Sequence, residues 1–300
     1  MTLLRLAHSP DPDDAFMWWP LIGDEQGKSR VDTGEFTFEL VTDDIESLNE
    51  RSMSGELEIT AISCAQYPHV ADRYAFTSCG ASLGDGYGPK LVTTAPQSLE
   101  SLLESRPLVL VPGERTSALT AMRLMCPDDS FRWKAVEFDS ISGRLANGEA
   151  DAGILIHEGQ LTWQQEGLHL IEDLGVWWEG ISGLPLPLGG NVVRRDLEEA
   201  YGPGTLMRIA GILHQSVQWA LEHREEALDY ALEYGRGIAR EQADAFVTMY
   251  VNRWTLDFQE RGRSAVASFL GKAAERGILP TTGPIDFIGA DAADAVTPTV

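Results

Sequence analysis

Two extended, Gly/Pro-punctuated stretches, "GPKLVTTAPQ" (88–97) and "GLPLPLGGNVVRRD" (183–196), bracket the middle of the chain and constrain it more than any other feature. Between and before them, short apolar runs recur with helical patterns in the gaps: "LLRLAHS" (3–9), "FTFELVTDD" (36–44), "LEITAIS" (57–63), "PLVLVPG" (107–113), "WKAVEFD" (133–139) and "ADAGILIH" (150–157). This alternation of strand and helix predicts an α/β fold, and the short crossovers predict mostly parallel sheets. Helices expected at 98–105, 116–125 and 140–149 each open on a Ser or Thr of N-cap type. From about residue 205 the pattern changes to long helices with apolar residues at three- and four-residue spacing. A chain that leaves one lobe, builds a second and returns needs two crossing strands, so residues 94–189 are expected to form one lobe. Residues 1–93 and 190–300 would form the other, with a cleft between them. The tail 289–300 is small and polar and is expected to fray.

Three hundred residues, 43% apolar and 23% charged, can bury a sizeable core. The excess of 46 acids over 23 bases gives a formal charge of -23. Such a surface repels phosphate backbones and anionic membranes, so nucleic acid is not an expected partner. Lysine is confined to Lys28, Lys90, Lys134 and Lys272, and the largely uncompensated acids read either as salt adaptation or as compositional bias. Cys64, Cys79 and Cys126 are odd in number and widely spaced, which indicates neither a disulfide framework nor a zinc site. The opening apolar run is too short for a signal-peptide core or a membrane span, and the cytoplasm is the expected location.

Open α/β sheets bind ligands beyond the carboxyl ends of their strands. Four of the expected strands lead into polar residues there. Ser9-Pro10-Asp11-Pro12-Asp13-Asp14 follows the first strand, and its acids can cap the next helix while facing a cleft. Asp13 reads as a cap and Trp19 as core, whereas Asp14 divides evenly between cap and cleft. Ser63 ends "LEITAIS" and can offer a hydroxyl and an N–H to a ligand. In "VPGERTSAL" (111–119), Thr116 and Ser117 start a helix whose free N–H groups suit a carboxylate, with Arg115 as a helper. The GxxxxGK[ST] phosphate-loop pattern is missing. "GILIHEG" (153–159) delivers His157 and Glu158 at a strand end, where an imidazole can act as general base near neutral pH. Neither HExxH nor GxSxG occurs, so no zincin or hydrolase elbow is indicated, and no metal is expected. Cys64 reads as a small buried residue, His69 as a surface position, and His214, His223 and Trp177-Trp178 as scaffold.

With these residues in view, the chain resembles the 1,4-dihydroxy-6-naphthoate synthase family of futalosine-pathway menaquinone biosynthesis. The likeness runs over nearly the whole length. It is carried by Ser9-Pro10…Pro12…Asp14…Phe16, "GYGP" (86–89), "VPGERTSA" (111–118), "GILIHE" (153–158), "WWEGISGLPLPLG" (177–189), "RRDL" (194–197) and "YVNRWTLD" (250–257). The resemblance implies a type II periplasmic-binding-protein-like fold. It also implies a cofactor-independent lyase that converts cyclic dehypoxanthinyl futalosine to 1,4-dihydroxy-6-naphthoate and dihydroxyacetone. It implies His157 as proton acceptor, substrate contacts from Ala61, Ile62, Ser63, Ser117 and Ala118, and Asp14 as a cleft carboxylate; Ser9 and Thr116 join them as expected binding residues by position. The chain departs from the usual family opening Ser-Pro-Cys-Pro-Asn-Asp-Thr-Phe at Asp11, Asp13 and Ala15, and Ala61 stands where relatives can carry lysine. These departures allow a substrate held differently or a related aromatic acid. Two rival readings share the expected fold: a solute-binding protein for a small carboxylate, and a chorismate dehydratase, which is less similar through "ILIHE" and "GLPLPLG".

Overall fold

In a computed structural model that describes residues 2–23, 27–234 and 239–289, two separate sheets are built from twelve strands. In chain order these are β1 (Thr2–His8), β2 (Phe36–Thr42), β3 (Ile59–Ser63), β4 (Tyr74–Thr77), β5 (Ser82–Gly84), β6 (Lys90–Thr93), β7 (Leu108–Val111), β8 (Arg132–Ala135), β9 (Ala152–Leu155), β10 (His169–Asp173), β11 (Leu186–Arg194) and β12 (Phe287–Ile288). The first sheet has the order β12-β4-β11-β3-β1-β2, with β5 also on β11; the second has the order β10-β6-β9-β7-β8. Strands β3 and β9 are buried throughout, which explains their unbroken apolar sequences. Strand β8 is a fully exposed edge whose Arg132 and Lys134 discourage pairing with another chain. The expected 290–300 part of the frayed tail lies outside the described residues.

Two lobes and an intervening cleft are present, but the sheets are mixed rather than mostly parallel. Among the described residues, β1 pairs with β2 and β3 in parallel, as do β7 with β8 and β9, and β12 with β4. The crossing strands reverse the direction. β6 is antiparallel to β9 and β10, and β11 is antiparallel to β3, β4 and β5. A strand that enters a sheet directly from the other lobe, without a helical crossover of its own, arrives from the opposite end and so pairs antiparallel with its neighbours. The two-residue strand β12 was likewise not anticipated, and the helical pattern of 241–258 breaks at Asn252, whose side chain accepts Trp254 N–H and starts a new short helix.

The helices start and stop where their caps dictate. Asp44 accepts Glu46 and Ser47 N–H to open Ile45–Ser54, Thr116 accepts Leu119 N–H to open Ser117–Met125, and Asp173 accepts Gly175 and Val176 N–H to open Leu174–Ser182. Ser140 makes no such bond; its hydroxyl instead donates to Glu137 O. One apolar cluster joins the lobes, with Ile62, Tyr67 and Phe76 from the first packed in the same body as Leu119, Met122 and Trp178. The chain entering the first crossing packs tightly on the start of helix Leu174–Ser182: a Cβ on Gly175 would lie 1.9 Å from Tyr87 O, so only glycine permits this approach. Lys90 pairs with Asp173 beside them. No helix among the described residues is long and apolar enough to cross a membrane.

Candidate active site

The carboxyl ends of β1, β3 and β9 and the start of helix Ser117–Met125 meet around one cavity of about 100 Å³. Ser9, Asp14, Ala61, Ile62 and Ser63 line it from the first lobe. Thr116, Ser117, Ala118 and His157 line it from the second. Residues 150 positions apart in sequence are thus neighbours because each sits where a strand hands over to a helix or turn.

His157 follows β9 in a left-handed backbone conformation, φ +52°, which swings its ring off the strand direction and toward the first lobe. Across the cleft, Asp11 Oδ2 accepts from His157 Nδ1 at 2.9 Å, and the Phe138 ring meets the imidazole edge-on with centroids 4.7 Å apart. Nε2 is buried and makes no hydrogen bond. Burial alone would drive this imidazole toward the neutral form. The charge and hydrogen bond of Asp11, helped by Asp13 and Glu158, outweigh burial and push its pKa up to about 9.

Asp11 occupies the N-cap position of helix Pro12–Trp18, yet its side chain makes no cap bond because His157 claims it. Asp13, read from the sequence as a cap, does take N–H groups of the helix start and is also a buried lining residue. Burial, and then the charge of Asp11, push the Asp13 carboxyl up to about 7. Asp14 is likewise pushed well above the ordinary carboxylate range by burial and by the charges of Asp13 and Asp11, although Ser9 N–H donates to its Oδ2 at 2.9 Å. Asp13 and Asp14, crowded with Asp11 against one imidazole, therefore hold protons at pH values where exposed carboxylates have lost them.

On the opposite wall, Asn49 fixes Ser63: its Oδ1 accepts Ser63 N–H at 2.9 Å and its Nδ2 donates to Ser63 Oγ at 3.1 Å. Ser63 therefore keeps its own hydroxyl hydrogen to donate. Ser117 spends its side chain on the returning strand and the first lobe, donating to Leu188 O at 2.7 Å and accepting Ala65 N–H at 3.1 Å. What remains toward the cavity is the opening turn of the helix, whose first N–H groups have no partner within the helix. Arg115 does not help there, contrary to the sequence expectation. Glu46 takes the N–H groups of Glu114 and Arg115 at 2.8 and 3.0 Å, and the Arg115 guanidinium turns away to Gln66 Oε1. A Cβ on Gly113 would lie 2.3 Å from Glu46 Oε2, so this approach also requires glycine.

Among the lining side chains not singled out from sequence are Gln160, Asn191, Phe246 and Tyr250. Phe246 and Tyr250 lie on a helix of the C-terminal segment, whose periodicity reads as scaffold. Asn191 sits mid-strand after two glycines, a polar residue in a buried run, and that was the available signal. It donates to Gly80 O at 3.0 Å, and its buried Oδ1 has no hydrogen-bond partner. Trp18 is fully buried core and Trp19 half-buried against Trp219 and Tyr230. Trp178 packs on Phe269, Cys64 is buried and His69 exposed, as read. No group of three His, Cys, Asp or Glu among the described residues is arranged to hold a metal ion.

A family model described as menaquinone biosynthesis matches residues 4–275. A 1,4-dihydroxy-6-naphthoate synthase of Thermus thermophilus is 38% identical over 287 residues, covering 95% of this chain and 99% of that protein. The enzyme of the same name from Streptomyces coelicolor is 33% identical, covering 94% and 96%. Among solved structures, an Archaeoglobus fulgidus protein matches with a TM-score of 0.82 and 38% identity over 92% of this chain and 98% of its own. The alkanesulfonate-binding protein of Xanthomonas axonopodis, solved with MOPS, matches with a TM-score of 0.70 at 12% identity over 94% and 95%, which establishes the periplasmic-binding-protein type of fold.

Proposed function

Because this chain belongs to the menaquinone biosynthesis family, we propose that it is a carbon–carbon lyase acting on cyclic dehypoxanthinyl futalosine, releasing 1,4-dihydroxy-6-naphthoate and dihydroxyacetone. The observation that carries this reading is the His157–Asp11 pair at 2.9 Å, with Nε2 left unbonded in a cavity faced by the helix start at Ser117. A solute-binding protein needs the helix start but has no use for a carboxylate-paired imidazole.

The aromatic carboxylate rests on the Ser117 and Ala118 N–H groups, with Ser63 Oγ donating beside it. Nε2 of neutral His157 takes a proton from the sugar-derived ring, which starts elimination and aromatisation. Asp11 holds the ring's orientation and stabilises the imidazolium that forms. Asn191 Oδ1, oriented by Gly80 O, accepts a substrate hydroxyl hydrogen. Asp14, whose carboxyl is pushed well above its ordinary value by burial and the neighbouring acids, can when protonated donate to developing negative charge. The cavity is small, so substrate enters between separated lobes, and closure then excludes water. We take the moving units to be 1–93 with 190–300, and 94–189, and we place the reaction in the cytoplasm, where the three free cysteines stay reduced.

Replacing His157 with Ala should lower kcat by about 10²–10⁴-fold while substrate still binds. Full turnover in that variant would remove His157 from the reaction. Separate incubations with cyclic dehypoxanthinyl futalosine, chorismate and a non-reacting naphthoic acid distinguish the lyase from a dehydratase and from a binding protein that turns over nothing.

A further inference from the structure

We propose that Gln160 is a positioning residue that fastens His157 to the inter-lobe crossing and to the first lobe, so that the imidazole is seated only in the closed molecule. The proposal rests on the reading of His157 as proton acceptor. Gln160 is 5% exposed and lies three residues beyond His157. Its carboxamide nitrogen donates to Gly88 O and to Tyr250 Oη, each at 2.7 Å, and its carboxamide oxygen accepts His157 N–H at 3.3 Å. The reverse orientation would set an NH2 group against an N–H and a carbonyl against a carbonyl. The backbone of Gln160 adds a bond from its N–H to His157 O at 3.1 Å. Gln160 thus holds both polar backbone groups of a residue in a left-handed conformation that L side chains seldom adopt.

The other ends of these bonds lie on different parts of the molecule. Gly88 belongs to the first crossing, and Tyr250 ends a first-lobe helix, Arg240–Tyr250. Tyr250 is 4% exposed and packs edge-on against Tyr87 at 5.6 Å, while the Tyr87 hydroxyl donates to Met249 O. Asp11, the partner of the imidazole, is also on the first lobe. Separating the lobes therefore breaks the Gln160–Tyr250 and His157–Asp11 bonds together, and closing them restores both. The charged groups facing His157 are Asp11, Asp13 and Asp14 from the first lobe and Glu158 from its own loop.

The test uses the full chain with its substrate, measuring kcat, KM and the pH profile of kcat for Gln160→Leu and Tyr250→Phe, with His157→Ala in parallel. Gln160→Leu should lower kcat about tenfold or more with KM changed less than about threefold. Its pH midpoint should fall from about 9 toward the ordinary imidazole value, because a loosened His157 loses Asp11. Tyr250→Phe should move both quantities in the same direction by less. A purely structural role would lower thermal stability and leave the midpoint in place. An unchanged midpoint in Gln160→Leu overturns the proposal. If that variant does not fold, an unchanged midpoint in Tyr250→Phe does so. Inactive His157→Ala beside an unaltered Gln160→Leu removes this proposal alone, whereas active His157→Ala removes the reading beneath it as well.

Discussion

Asp11 makes His157 a stronger base and a rarer one. With a pKa of about 9, only about one imidazole in a hundred is neutral at pH 7. The rate should therefore climb through the neutral range and level off above about pH 9. Asp11→Asn removes the charge that raises the pKa, so the rise in kcat should shift to lower pH, toward 6.5. The plateau should fall about tenfold or more, since the imidazolium loses its partner. A pH–rate profile of the two proteins checks both. The same raised pKa means that ionisation of His157 stabilises the fold fully below about pH 6.5 and that this contribution is lost as pH rises through about 9. His157 was legible in the sequence because a polar residue ending a buried strand has few other reasons to be there. Asp11 was not, because an acid before a helix is explained by capping alone, and its true partner lies 146 residues away across the cleft.

At the level of elements, one carboxylate on one helix adds a separate tie between the lobes. Glu46, in the first turn of Ile45–Ser54, grips the loop that leads into Ser117–Met125 through the Glu114 and Arg115 N–H groups. Burial raises its pKa, and those N–H bonds pull it back only in part. Charge-assisted bonds of this kind are each worth about 1–2 kcal/mol once partial exposure is discounted. Glu46→Ala should raise KM about tenfold with kcat within about threefold of the parent, measured by steady-state turnover, because closure weakens while the reacting groups stay intact. The strands and caps that frame this contact were legible: alternation placed β1, β3, β7 and β9, and Thr116 caps its helix as its position demanded. The direction of β6 and β11 was not, because chain polarity at a lobe crossing depends on which end of the sheet the connection reaches, and local pattern carries no record of that.

For the whole molecule, a formal charge of -23 on 300 residues means that self-repulsion opposes compaction. Raising NaCl from about 0.05 to about 1 M shortens the screening length from roughly 14 to 3 Å and should raise the thermal midpoint by several degrees. A set of melts at fixed pH measures it, and a flat or falling midpoint would assign the acidic composition no such burden. The two lobes also differ in how they can be assembled. The second sheet uses only residues 90–173, whereas β3 and β4 of the first are separated by β11, which comes from residues 186–194. During synthesis the N-terminal third must therefore wait on the ribosome with two strand edges open until nearly a hundred further residues have emerged. That interval favours early completion of the later-made half and leaves the earlier one open to mispairing in the meantime.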